Sequence, residues 1–335
     1  MVLIGPKRRH LQLSKLKKDS SYIVGPPETI LFNEEIWNGK PWIVDFLTPT
    51  YEENFYRFNN DKNINKSSLL LEKIALLMGS FFIFAHEEQF KSKKDRNKDI
   101  LKDFLDKDFA LIPPSFPSFS FKDESWSYLV WGGGGWDWLD PRTFVEAMNL
   151  AKTNHKGVIF SDRYSGSFLR NKKMKGLSSS KVEINSFTNE EAYLNYVNNS
   201  LLWICLHPSD TIEANVAYRT RLLDALHVGR PVLVNRGEYL GDFIVKNGGG
   251  WFIENENPQA LSLFIENLDL EEVKRKGKAA RALIKKIHYE KIKKNISLTK
   301  PSFEKAKNLF SELKKHRMVM SRFPWRVKTK ILGQR

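Results

Sequence analysis

Cysteine is all but missing: Cys205 is the single one in 335 residues, which excludes an intrachain disulfide and points to a reducing cytoplasm. Its neighbours Leu202, Trp203, Ile204 and Leu206 place that thiol on a buried strand. Long apolar runs are missing too. No stretch reaches the roughly 18 residues of a membrane span, and the opening MVLIGPKRRHLQ is apolar over too few positions for a secretory leader. The expectation is a cytoplasmic protein, soluble or peripheral on the inner face of the cell membrane. Acidic residues are in deficit, 39 against 54 Lys and Arg, and the net charge of +15 attracts polyanions: nucleic acid, anionic lipid or nucleotide phosphates. No RNA- or DNA-binding motif accompanies that charge, which is concentrated in the termini and in surface helices, so no nucleic-acid partner is expected.

What is present is enough chain for two α/β domains with a real core. Residues 1–20 are basic and weakly periodic, either a solvated start or a contact for an anionic surface. A short strand at Tyr22–Gly25 runs into Pro26-Pro27, and Pro41–Leu47 forms a second, buried strand. That strand brings Asp45, with Glu52 and Glu53 beyond it, to a carboxyl end, where open α/β sheets place ligands. The apolar run Ser68–Met78 predicts a helix feeding the strand Ser80–Ala85 and then His86, while the alternating charges of Lys91–Lys107 predict an exposed helix. The proline-dense LIPPSFP at Leu111–Pro117 is an interdomain linker. The expected domains are 1–117, 118–296 and a C-terminal helix with a basic aromatic tail at 297–335.

The second domain opens with a strand at Ser127–Trp131 and four glycines, Gly132 to Gly135, which allow close backbone approach and offer amides to a phosphate. The run lacks both the lysine of a P-loop and the spacing of a dinucleotide fingerprint. Strands follow at Val158–Ser161 and Leu201–His207. The organising stretch is Tyr218–Val234, YRTRLLDALHVGRPVLV, in which Leu222, Leu223 and Leu226 recur at helical spacing and Gly229-Arg230-Pro231 deliver the chain into the strand Val232–Val234. Arg219 opens the helix, and Arg221 and Asp224 share one face. Guanidinium groups suit a diphosphate and a carboxylate suits vicinal hydroxyls; a surface ion pair is the alternative.

The blocks EANVAYRTRLLDALHVGRPVLVNRGEYLGDFI from Glu213 and YLVWGGGGWDWLDPRTFVEAM from Tyr128 resemble the donor-binding half of GT-B glycosyltransferases, most closely the family 4 (group 1) enzymes of bacterial surface polysaccharide assembly. The resemblance implies two Rossmann-like domains facing a cleft and a hexosyl transfer from a nucleoside-diphosphate sugar to a glycan or lipid-linked acceptor in polysaccharide or lipopolysaccharide synthesis; against that pattern the N-terminal domain is short, either through loss of its first βα units or through a late start of the reading frame. It further implies retention of configuration. Arg219 and Arg221 would neutralise the leaving diphosphate with the amides of Gly133, Gly134 and Gly135; Asp224 would hold the ribose. Glu213 and His207 would meet the sugar, Gly237 and Glu238 would lie under it, and Asp45 would position the acceptor hydroxyl. No aspartate pair stands where a metal is expected, so neither metal nor cofactor is expected beyond the nucleotide-sugar substrate. The pattern departs from the family where Val44-Asp45 replace a frequent histidine and Leu139 takes the place of a basic residue. A non-catalytic relative, binding a nucleotide sugar or acting as a scaffold, is the alternative. Beyond Glu312 no acid remains, and Phe323, Trp325, Ile331 and Leu332 alternate with Arg322, Arg326, Lys328 and Lys330, a pattern suited to an anionic bilayer surface, a disordered tail or a strap.

Overall fold

The computed structural model describes residues 21–46, 49–57, 60–114, 126–132, 141–160, 179–185, 190–208, 212–254, 257–287 and 299–315. Contacts divide the chain into two units, one of Met1–Ser115, Val216–Tyr218 and Tyr289–Arg335, the other of Phe116–Asn215 and Arg219–His288. The glycines Gly133 to Gly135 and the tail beyond Lys315 lie outside the described residues.

In the first unit β1 (Ile23–Gly25), β2 (Trp42–Asp45), β3 (Phe81–Phe84) and β4 (Phe109–Leu111) form a parallel sheet in that order. Its centre is FFIF, buried at every position, as a strand covered on both faces must be. Helices α1 (Thr50–Arg57), α2 (Lys62–Met78) and α3 (Glu87–Arg96) complete the framework. Asp61 caps α2, its Oδ1 accepting from the amides of Asn63 and Ile64 at 2.9 and 3.2 Å. At the other end of α2 the Lys107 ammonium donates to the carbonyls of Leu76, Leu77 and Gly79 at 2.8, 2.6 and 2.8 Å, groups that lack an intrahelical donor at the helix end; the Ser302 amide also donates to Leu77, at 3.0 Å. The apolar face of α2 packs on Trp42, Val44, Phe82 and Phe84. Ala306 and Leu313, from the helix Phe303–Lys315, belong to the same core.

The expected exposed helix at Lys91–Lys107 is corrected by this arrangement. The helix ends at Arg96, and Lys93 and Lys107 are buried. Lys93 Nζ lies 2.7 Å from Glu72 and 3.5 Å from Glu52, and Arg96 reaches Glu52 at 2.8 Å and Glu72 at 3.0 Å. Burial pushes the Glu72 carboxyl up, yet Lys93 and Arg96 hold it down at about 2. Glu52, expected as a loop acid facing an acceptor, is on α1 and enclosed by these two cations.

In the second unit six parallel strands stand in the order β10-β9-β8-β5-β6-β7: β5 (Tyr128–Trp131), β6 (Lys156–Phe160), β7 (Val182–Asn185), β8 (Ser200–Cys205), β9 (Val232–Val234) and β10 (Gly250–Phe252). The chain reverses its direction of winding after β7, returning to β8 beside β5. Helices α4 (Arg142–Leu150), α5 (Glu190–Asn198), α6 (Ile212–Val216), α7 (Thr220–Val228), α8 (Tyr239–Lys246), α9 (Pro258–Glu266) and α10 (Leu270–Ala282) connect them. Every residue of β8, SLLWIC, is buried, which makes β8 the axis of the unit. Among the described residues no helix is long and apolar enough to cross a membrane.

Candidate functional site

The carboxyl ends of β8, β9 and β5 bring together most of the polar residues singled out in the second unit. Ladder pairing between β8 and β9 ends at Cys205 and Val234. Beyond it the loops diverge, one toward His207 and α6, the other toward Gly237 and α8. On the β5 side the Gly132 amide donates to the Ile204 carbonyl at 2.6 Å. A Cβ on Gly132 would lie 3.3 Å from both the Cys205 Cβ and the Ile204 oxygen, so the first member of the glycine run is required for close strand approach.

Two side chains fix the loop after β9. Gly237 has φ +92°, a left-handed conformation that glycine adopts without strain, and its amide donates to Asp242 Oδ1 at 3.1 Å. Glu238 caps α8, its Oε2 accepting from the Gly241 amide. The Glu238 carboxyl is 0% exposed, and its other oxygen has no hydrogen-bond partner among the described residues. Burial lifts this group from 4.5 to about 7, although Arg219 pulls the other way.

Glu213 lies on α6, and Arg219 is the residue that precedes the first turn of α7. The two form a buried fork, Nη1 to Oε1 at 3.3 Å and Nη2 to Oε2 at 2.7 Å. Burial acts against the Arg219 charge, but Glu213, Cys205 and Glu238 raise its pKa above the ordinary arginine value. Cys205 itself is driven up to about 12 by burial and is an inert thiol. His207 is held neutral: burial lowers it to about 4, and Arg219 adds to the shift.

Arg221 and Asp224 share a helix face, as the spacing predicts, and converge on one ring. The Tyr193 hydroxyl donates to Asp224 Oδ2, and the Arg221 guanidinium stands 5.7 Å from the ring centroid. Arg221 is half-buried, whereas Arg219 and Asp224 are buried. Chemically this leaves Arg221 as the cation nearer to solvent. Arg219, with both terminal nitrogens on Glu213, orders the turn into α7.

In the first unit Asp45 sits at the carboxyl end of β2, 8% exposed. His86 precedes α3; its Nε2 lies 3.1 Å from the Val216 carbonyl, and burial lowers it to about 4. Two pairings were missed by sequence reasoning, Tyr193 with Asp224 and Asn235 with His207. Tyr193 lies 31 residues from Asp224, on a different helix, so no spacing pattern links them. Asn235 carried a signal, a polar residue directly after an apolar strand, but its partner is 28 residues away. Among the described residues no group of three or more His, Cys, Asp or Glu side chains is arranged to hold a metal.

The fold matches solved glycosyltransferase structures. Sucrose-phosphate synthase from Thermosynechococcus elongatus superposes with a TM-score of 0.60 over 95% of this chain and 77% of its own, at 13% identity. Anabaena HepE in complex with UDP and glucose gives 0.58 over 91% and 80%, at 10% identity. WaaG, a glycosyltransferase involved in lipopolysaccharide biosynthesis, gives 0.53 over 82% and 76%, at 14% identity. At these identities the likeness is one of fold, and the chain has the α/β architecture of GT-B glycosyltransferases, with two parallel sheets. No family profile matches the chain, and no curated protein matches it significantly in sequence.

Proposed function

We propose that this protein is a glycosyltransferase that takes a sugar from a nucleoside-diphosphate sugar bound at the carboxyl edge of the six-stranded sheet. The observation that carries this reading is the convergence of Arg221, Asp224 and the Glu213–Arg219 fork beside the β8–β9 edge. It occurs in a fold shared, over 91% of the chain, with a structure holding UDP and glucose. Arg221 faces the diphosphate. Charge grows on the leaving diphosphate as the glycosidic bond breaks, and a positioned cation there lowers the barrier by about 3 kcal/mol. Arg219 and Glu213 hold the start of α7 so that Arg221 keeps its place, and Asp224, steadied by Tyr193, takes the ribose hydroxyls. His207, Gly237 and Glu238 border the sugar, Gly133 to Gly135 supply amides to the phosphates, and Asp45 aligns the acceptor hydroxyl.

The finer reading is a metal-independent, retaining hexosyltransferase of the family 4 type. Its acceptor is a glycan or lipid-linked glycan of surface polysaccharide or lipopolysaccharide synthesis, reached from the cytoplasmic face of the membrane. Support comes from the sequence blocks and from the role stated for WaaG. The test is calorimetric titration with nucleoside diphosphates and nucleotide sugars without divalent metal, followed by turnover of any donor that binds. Tight binding lost in Arg221→Ala supports the donor site. Absence of binding by folded protein across the panel overturns the proposal, and binding without turnover favours the non-catalytic alternative.

A further inference from the structure

We infer that Asn235 is a positioning residue of the donor site: its carboxamide replaces the strand pairing that β8 and β9 abandon and thereby fixes the main chain that carries the His207 ring. The inference rests on the proposed donor site in the second unit. The geometry is reciprocal. The His207 amide donates to Asn235 Oδ1 at 3.0 Å, and Asn235 Nδ2 donates to the His207 carbonyl at 2.7 Å. The pair is buried, with Asn235 6% and His207 3% exposed. It begins one residue after the last β9 partner and two after the last of β8, so a side-chain amide continues the connection where the two backbones separate.

Only a carboxamide presents a donor and an acceptor in one plane at that reach. Aspartate keeps the acceptor and loses the donor; alanine loses both. The Pro208 carbonyl, and not the carboxamide, which offers Nδ1 no acceptor, settles the imidazole. Asn235 Nδ2 lies 3.5 Å from His207 Nδ1, while Nδ1 lies 2.9 Å from the Pro208 carbonyl. Since a carbonyl only accepts, Nδ1 carries the proton and Nε2 the lone pair, in a neutral ring. The charged groups acting on that ring are Arg219, which disfavours its protonation, and Asp242 of α8, which favours it. Glu213 and Glu238 act in turn on Arg219. A loop held in this way presents its backbone and a fixed hydrogen-bond pattern to a ligand without reorganising on binding.

The test uses the full chain with Asn235→Ala and Asn235→Asp. Nitrogen-15 NMR of the imidazoles, with His207→Gln for assignment, should show the parent His207 as the neutral Nδ1–H form, uncharged at pH 6. In Asn235→Ala the main chain at His207 loses both bonds, so the ring should leave the Pro208 carbonyl and its buried place: the tautomer preference should fade and the ring should begin to titrate nearer the ordinary histidine range. Affinity for UDP, measured by calorimetry, should fall about tenfold in Asn235→Ala and by less in Asn235→Asp, which keeps half of the pair. A His207 spectrum unchanged in Asn235→Ala overturns the inference. So does a changed spectrum with UDP affinity within twofold of the parent, because Asn235 then orders a loop that the ligand does not use. Should Asn235→Ala fail to fold, Asn235→Asp decides by the same two readouts. Should the parent itself not bind UDP or any other nucleotide, the proposed function falls and the donor-site role of Asn235 falls with it; the NMR arm then reports only on the loop.

Discussion

Glu238→Gln is a direct probe of the buried edge of the second unit. The native carboxyl is fully buried and holds its proton to about 7, against 4.5 for the ordinary group. Between those two values the folded chain binds a proton that the unfolded chain has released. The contribution of Glu238 to stability therefore falls as pH rises from 4.5 to 7 and is level above that, with a total loss of about 3 kcal/mol at about 1.4 kcal/mol per pH unit. Glutamine is isosteric, does not ionise and keeps a carbonyl oxygen to accept from the Gly241 amide. Denaturant unfolding of parent and variant from pH 5 to 8 should give a stability difference that moves in favour of the variant by up to about 3 kcal/mol, the attraction of Arg219 being already contained in the value of about 7. The difference matters, since the buried neutral histidines His86 and His207 contribute a slope of the opposite sign to both proteins. A difference curve that is flat across this range refutes the reasoning.

The remaining predictions follow from contacts of single side chains. Arg221→Ala should weaken nucleotide binding at least tenfold with little change in melting temperature. Arg219→Ala should instead destabilise the second unit by about 3–5 kcal/mol, because it removes the buried cation onto which the Glu213 carboxylate forks; calorimetry and thermal melts on both variants separate the two roles. Lys107→Met should cost about 2–3 kcal/mol by taking the shared ammonium from three carbonyls at the end of α2, of which Leu77 keeps the Ser302 amide, read by urea unfolding of the first unit. Glu72 is held at about 2, so its contribution to stability is complete above 4.5 and is lost as pH falls toward 2; Glu72→Gln should flatten that part of the acid unfolding curve.

The legible part of the fold was the part made of continuous apolar runs. SLLWIC, FFIF and VLV announce strands buried on both faces, and Leu222, Leu223 and Leu226 announce α7. Strands with little apolar content were not legible: VEIN of β7 is half-buried at a sheet edge, and FAL of β4 ran into a proline-rich stretch. Charge misled where it is internal. Lys93 and Lys107 resemble surface residues by type, yet each reaches its partners across some twenty to forty positions of sequence. At the candidate site, local patterning singled out the arginines and acids. What each one faces depends on pairings such as Tyr193 with Asp224 and Asn235 with His207, which only tertiary structure creates.

The helix Phe303–Lys315 supplies Ala306 and Leu313, both 0% exposed, to the core built on α2, and it stacks Phe310 against Trp37 at 4.7 Å. During synthesis those residues emerge from the ribosome after the whole of the second unit. Since domains fold as units while the chain is made, the second unit can reach its native state while the first still shows the apolar side of α2 to solvent. The first unit is begun first and finished last, and for that interval its uncovered face is the natural substrate for a chaperone.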